Sequence, residues 1–435
     1  MASVTSNVQR YAQFTILLLA AGSIYPLLYL RQNFETAILE TFAISTAELG
    51  EYYSLLGVMF IVTYLPSGWL ADRVSPRWLV SFSMAATGLL GLWFYTVPSQ
   101  EALTYIYLGW GLSSGLTFWA ALIKAVNLLA RKEEQGRFYG ILEGCRGLVE
   151  ALLATAAVAL FAYYVNTVGE DTSRALPKVI MLYVGNCFVM AILCLCFLRL
   201  DRHDREDDGA RSEQNEGQGN VVKDLLLLAS IPEIWLVAVI ILTGYQLFWA
   251  TYSFSAFLQE GFGMTAVAAA VVTVIKLWMR PVGGICAGFF GDRLGKENVL
   301  ATTLSLSSLS LLLLIVVPAA SGQYLVLGIV LCIGVLTYAT RGLYWSILDN
   351  CNVSERTTGL AIGVISLIAY TPDIYLPLLN GYIAERYEGR AVYEIYFGYI
   401  GLSGFVGVIA ALMLKALGGR RRESGARADR PEVAA

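Results

Sequence analysis

Apolar and polar positions along the chain separate into long apolar blocks joined by short polar connections. The blocks fall at residues 11–41, 49–71, 78–97, 101–129, 138–164, 178–199, 231–260, 266–290, 297–318, 322–349, 356–383 and 391–415. Each is about 20 residues or longer, enough to cross a ~30 Å hydrocarbon core as a helix. Backbone polar groups inside hydrocarbon must be satisfied within their own segment, which makes helices the expected spanning element. The ten-residue alternating segments of a membrane barrel do not occur. The pattern therefore predicts an all-α membrane protein of twelve transmembrane helices.

Composition agrees with the pattern. Of 435 residues, 57% are hydrophobic and 14% charged, whereas soluble domains carry about a quarter charged. The net charge of −3 gives no reason to expect a nucleic-acid partner. One polar stretch interrupts the regular spacing: Arg199 to Lys223 is rich in Asp, Glu, Arg, Gln and Gly and reads as a solvated linker. The expected organisation is an N-terminal six-helix half (1–199), a cytoplasmic linker (200–230), a C-terminal six-helix half (231–416) and a disordered cytoplasmic tail (417–435).

Orientation follows from Lys and Arg in the short connections. Arg73, Arg77, Arg131, Lys132, Arg137, Arg293, Lys296, Arg356 and Arg420 to Arg422 share one side with the linker. The other side has Glu48, Glu51, Glu101 and Glu260, with only Arg174, Lys178, Arg386 and Arg390 against them. Both termini are expected in the cytoplasm, with the protein in the plasma (inner) membrane. The first apolar run follows the single basic residue Arg10 and leads into further spans, so no cleavable signal is expected.

A six-residue pattern, Gly-x-x-x-Asp-Arg, recurs half a chain apart. Gly68-Trp-Leu-Ala-Asp72-Arg73 reappears as Gly288-Phe-Phe-Gly-Asp292-Arg293, each copy leaving a span on the basic side. One such match carries little weight; two at an offset of 220 residues, in corresponding connections, indicate an internal repeat. Repeated halves suit alternating access around a site near the midplane. Gly68, Asp72, Arg73, Gly288, Asp292 and Arg293 are the gating candidates, because a carboxylate or arginine leaving one helix can latch onto the dipole end of another.

Ionisable groups inside the spans are the other informative feature, since charge in mid-bilayer is costly and usually functional. Glu143, Arg146 and Glu150 fall at i, i+3 and i+7 on one helix face. Lys124, Lys276, Arg280, Arg341, Asp373 and, near the outer end of the first span, Arg31 complete the set. At 1.5 Å per residue, Arg146 and Arg341 both lie roughly 14 Å from the cytoplasmic face. Six basic groups against Glu143, Glu150 and Asp373 leave about three positive charges uncompensated. A small anionic substrate would compensate them, and the guanidinium fork suits phosphate, sulfonate or carboxylate. Arg31, Lys124, Arg146, Arg280 and Arg341 are thus substrate-binding candidates, with Tyr245 among the aromatic residues of a polar cavity. Glu143, Glu150 and Asp373 are candidates for coupling to protons. Blander readings exist for some: Glu143 and Arg146 suit an intrahelical pair, and Arg31 and Lys276 could snorkel outward.

The repeated loop is similar to the signature between helices two and three of the major facilitator superfamily, G-x-L-A-D-R-x-G-R-R. Gly68, Leu70, Ala71, Asp72, Arg73 and Arg77 match, while Ser75 and Pro76 depart from it; the second copy keeps Gly288, Asp292, Arg293, Gly295 and Lys296. More narrowly, Tyr29-Leu30-Arg31-Gln32-Asn33-Phe34 followed by Glu48-Leu49-Gly50 resembles the organophosphate:phosphate antiporters. That resemblance implies a substrate-site role for Arg31. It also implies a second arginine on helix seven, where this chain has Gln246-Leu247-Phe248. Arg146, Arg280 or Arg341 would have to supply that charge.

The expectation is a monomeric secondary active transporter of a small organic anion, working by antiport with phosphate or another anion, or by proton symport. A proton-coupled exporter of drugs or metabolites and a transporter-like ligand sensor are the alternatives. No enzyme activity, cofactor or metal is expected. The seven cysteines lack framework spacing and read as packed, reduced thiols, and the single histidine, His203, sits in the linker.

Overall fold

A computed structural model describes residues 7–130, 134–199, 226–318, 322–350 and 358–428. Its long helices are α1 (Asn7–Phe42), α2 (Thr46–Arg73), α3 (Pro76–Tyr95), α4 (Gln100–Leu129), α5 (Phe138–Val168) and α6 (Thr172–Phe197) in the first half. The second half has α7 (Pro232–Phe262), α8 (Ala266–Leu294), α9 (Lys296–Val316), α10 (Tyr324–Leu348), α11 (Leu360–Ala384) and α12 (Arg390–Gly418). Eleven are both long and apolar enough to cross a membrane, and the remaining expected span lies inside the 28-residue helix α2. Residues 200–225 of the linker, His203 among them, and residues 429–435 of the tail fall outside the described residues, while 417–428 of the expected disordered tail continue α12 as helix.

Successive helices run in opposite directions, so α1 and α7 both start at the end where α6 stops. That end is called the linker end, and the opposite one the far end. Packing repeats between the halves: α2 lies on α4 and α3 on α6, as α8 lies on α10 and α9 on α12. The halves meet along α2–α11 and α5–α8. Large apolar side chains such as Phe82, Leu89, Ile192, Ile285, Val316 and Leu402 are exposed on the outside, where a bilayer would cover them.

Local sequence explains where helices stop. Ser45 and Glu48 form a reciprocal capping box at the start of α2, with Ser45 Oγ accepting from the Glu48 amide at 3.1 Å and Glu48 Oε2 accepting from the Ser45 amide at 2.7 Å. Ser99 and Thr265 cap the starts of α4 and α8 by accepting from the amides of Ala102 and Ala268. Several spans are broken inside the protein. Helix α1 falls into Asn7–Ser23, Tyr25–Leu28 and Arg31–Phe42, and α7 passes through a 3-10 turn at Thr251–Ser253. Helix α11 is interrupted before Pro372, whose ring cannot continue a helix from the preceding residues. Broken backbone is tolerated at membrane depth only within protein or beside a cavity.

The two copies of the repeated loop differ in backbone. Gly295 has φ +87°, a left-handed conformation that favours glycine, whereas Ser75 sits at φ −60° and ψ 135° before Pro76. The departures of Ser75 and Pro76 from the family pattern thus have a conformational cause: the first loop turns in extended backbone and needs no glycine.

Candidate functional site

A cavity of about 720 Å³ lies between the halves, walled by α1, α2, α4 and α5 on one side and α7, α8, α10 and α11 on the other. Its lining reaches from Asn33 and Asp373 down to Leu360, near the linker-end start of α11. Toward the far end the halves are joined. Thr36 Oγ1 donates to Gln259 Oε1 at 2.9 Å, and Ser255 Oγ to the Asn33 carbonyl at 3.0 Å. Tyr29, at the break in α1, stacks on Tyr252, at the break in α7, with ring centroids 5.2 Å apart. Toward the linker end, a Cβ added at Gly68, Gly140, Gly144, Gly284 or Gly288 would meet no atom within 4 Å.

Arg146, Arg280, Arg341, Tyr245, Glu150 and Asp373 all line this one cavity, although they come from five helices. Arg280 splits its fork between two carboxylates of the other half. Nη1 lies 2.8 Å from Glu150 Oε2 and Nη2 lies 3.0 Å from Glu143 Oε2. Arg146 Nη1 lies 3.3 Å from the other Glu143 oxygen, and its guanidinium sits over Tyr25 at 4.9 Å and Trp119 at 5.3 Å. The intrahelical pair read from the sequence therefore forms, and α8 shares it. Gly147 makes room for it: a Cβ there would stand 2.5 Å from Arg280 Cδ.

Asp373 opens the second segment of α11, where the positive end of the helix favours a carboxylate. Its Oδ1 accepts from Tyr245 OH at 2.7 Å and Trp249 Nε1 at 2.5 Å. Arg341 is different. Its guanidinium rests on the Phe248 ring at 4.0 Å and lies 5.6 Å from that of Tyr245. Among the described residues it has no hydrogen-bond or ion-pair partner, and it faces the cavity.

Arg31 and Lys124 are placed elsewhere. Lys124 is half-buried on α4 and does not line the cavity. Arg31 is 2% exposed and pairs at 2.7 Å with the fully buried Glu35, one turn further along α1. It also donates to Ser253 Oγ across the interface at 3.2 Å and lies 5.1 Å from the Tyr53 ring. Arg31 therefore sits in the closed far-end layer just beyond the cavity and does not snorkel outward. Lys276 does not snorkel either: it is fully buried, and Nζ donates to Thr251 Oγ1 at 3.0 Å.

Glu35 corrects the charge count, because it neutralises one of the six bases. Its i, i+4 spacing from Arg31 was a readable signal. The remaining additions to the site are aromatic and amide groups: Tyr25, Tyr29, Tyr64, Trp119, Tyr252 and Tyr370, with Gln32 and Asn33. Gln32 Nε2 and Asn33 Oδ1 are buried without hydrogen-bond partners. Rings in mid-span look like packing residues in a sequence, since helix rotation decides which of them face a cavity. Tyr344, three residues after Arg341, is buried outside the lining.

At the linker end, Arg73 and Arg293 each lie over an aromatic ring of their own helix, Trp69 at 4.0 Å and Phe289 at 3.9 Å. The pairs are related by the same 220-residue offset as the loops. Asp292 is exposed, and the side chain of Asp72 lies outside the described residues. The six described cysteines are free, and no cluster of His, Cys, Asp or Glu suited to a metal occurs among the described residues.

Known proteins place this architecture. The inner membrane protein YihN of Escherichia coli is 27% identical over 95% of this chain and 98% of its own. The E. coli membrane sensor protein UhpC is 24% identical over 80% of each chain, and a putative glycerol-3-phosphate transporter of Arabidopsis thaliana 24% over 83% of this chain and 74% of its own. Among solved structures, the nucleoside transporter NupG superposes with a TM-score of 0.66 over 93% of this chain and 99% of its own, at 14% identity. The Major Facilitator Superfamily model matches residues 12–372, and with the two-half helical fold and its interfacial cavity the chain belongs to that superfamily of membrane transporters.

Proposed function

We propose that this transporter carries a small organic anion, phosphorylated, sulfonated or carboxylated, across the plasma (inner) membrane by alternating access. The observation that carries the reading is Arg341, a cavity-facing guanidinium with no anionic partner among the described residues. A charged group that is stacked on Phe248 but left without a carboxylate keeps its fork available for a ligand. Arg146, with one shared carboxylate at 3.3 Å, retains donors for the same ligand. The similarity to a putative glycerol-3-phosphate transporter supports an anionic cargo. Basic residues on the linker side support cytoplasmic termini. In this reading the cavity opens to the cytoplasm, and the substrate binds the two states with similar affinity so that it can leave. Antiport needs no titrating group; proton symport would use Asp373, the cavity acid that has no arginine within ion-pair distance.

Uptake into proteoliposomes loaded with phosphate or unlabelled substrate tests the reading. Arg341→Gln should abolish uptake, by about 100-fold for a buried charge-assisted contact, while leaving the melting profile unchanged. Full uptake by Arg341→Gln would overturn the anion assignment. A ligand-sensor reading is favoured by the similarity to UhpC; saturable ligand binding with no flux at all would establish it in place of transport. The alternative of a cationic-drug exporter fits poorly with Arg341 as a cavity charge that has no anionic partner among the described residues.

A further inference from the structure

Glu143 stands apart from Asp373 and Glu150, the carboxylates that line the cavity: it lies about two turns before Glu150 on α5, toward the linker end and outside the lining. Asp373 is held by Tyr245 and Trp249, and Glu150 is mostly buried against Arg280. Glu143 is 55% exposed, yet each of its oxygens meets a different arginine, Arg146 on its own helix and Arg280 on α8. A carboxylate divided in this way between two guanidinium groups is bound as the anionic group of a substrate would be. So exposed a side chain can swing into water, where its charge stays hydrated. With Glu143 in place, Arg146, Arg280 and Arg341 are formally balanced by Glu143, Glu150 and Asp373. With Glu143 swung out, three arginines face two carboxylates, and one positive charge is left for an anion.

We propose that Glu143 is an internal counter-anion, holding the arginines Arg146 and Arg280 in the empty protein and displaced from them by the anionic group of the substrate. The inference rests on the anion reading given above. Because the bridge ties α5 to α8, its displacement also removes a tie between the halves. The empty protein keeps the tie and resists rocking, while the loaded protein is released from it. Exchange of anion for anion is then faster than net flow in one direction.

The full chain with Glu143→Gln and with Glu143→Asp tests this. Glutamine removes the charge; aspartate keeps it but falls short by about one bond length, ~1.5 Å. The side chain replaced is itself more than half exposed. Binding of inorganic phosphate, methanesulfonate and acetate is read from the fluorescence of Trp119, beside Arg146, with Trp119→Phe as the blank. Both variants should bind at least one of these anions about tenfold more tightly than the parent. In proteoliposomes their ratio of exchange to net efflux should fall toward one. Tightening in the glutamine variant alone marks a long-range charge effect and overturns the displacement model, as does unchanged or weaker binding in both. Binding by the parent with unchanged variants removes this inference alone. Binding of none of the three anions by any form removes the anion reading together with it.

Discussion

The internal repeat relates the two seams between the halves, yet they are built on opposite principles. A shift of 220 residues carries α2 onto α8 and α5 onto α11, which makes α2–α11 and α8–α5 counterparts. At α2–α11 the backbones approach because side chains are missing. A Cβ at Gly57 would stand 2.6 Å from the Asp373 carbonyl oxygen, one at Gly381 2.7 Å from Ala47 Cα, and one at Gly50 against the Pro377 carbonyl. Small residues permitting such approach are a common device of membrane helix packing. At α5–α8 the contact is ionic, with Arg280 on Glu143 and Glu150, supplemented by Trp278 Nε1 donating to Thr155 Oγ1 at 3.1 Å. A seam of shape is indifferent to what enters the cavity. A seam of charge would respond to an anion, so that under the proposal above one transporter combines a fixed closure with a ligand-sensitive one.

The largest effect should come from breaking the shape seam. Gly57→Leu places a branched side chain against backbone that cannot retreat, and overpacking of this kind costs about 1–3 kcal/mol. That shifts the closed population by about 10- to 100-fold. Spin labels replacing Thr36 and Gln259, which meet at the far end, should move apart in this variant, and uptake should be lost.

Within the ionic seam the effects should split by burial. Glu150→Gln leaves Arg280, 13% exposed, with one carboxylate fewer. Removing one member of a buried pair costs about 3–5 kcal/mol, less here because Arg280 and Glu150 border a cavity and are not fully buried. The melting temperature should drop by several degrees in Glu150→Gln and hardly move in Glu143→Gln, whose carboxylate is more than half exposed. Equal losses in the two would contradict the division of roles between these carboxylates. The smallest effect is expected of Gly147→Ala. Its Cβ displaces the flexible stem of Arg280, not backbone, so anion affinity should change only a few-fold while folding is retained.

Particular residues show what was readable in the sequence. Mid-span placement singled out Arg146, Arg280, Arg341, Glu150 and Asp373, all of which line the cavity, because a charge in hydrocarbon needs a partner or a cavity whatever the fold. Arg31 was also found, but its setting was not, since the partner Glu35 and the acceptor Ser253 matter more than depth. The breaks in α1 and α7 left little trace: Pro26 follows the first break in α1, while Thr251–Ser253 contains no helix breaker. Tyr29 and Tyr252 lie 223 residues apart in the sequence and become a stacked pair only when the two broken helices face each other.

The sequence by itself determined the spans, the repeat and the positions of the buried charges. These follow from one-dimensional quantities: apolar run length against bilayer thickness, the offset of identical motifs, and residue depth at a fixed rise. Only the tertiary structure decided which charges cancel. Glu143 and Arg280 are 137 residues apart, and their contact depends on the rotation of α5 and α8 and on the space left by Gly147. Ion pairing falls off within a few ångströms, so a count of charges along the chain cannot tell a neutralised arginine from a free one. That distinction separates Arg280, which fastens the halves, from Arg341, which meets no anionic partner among the described residues.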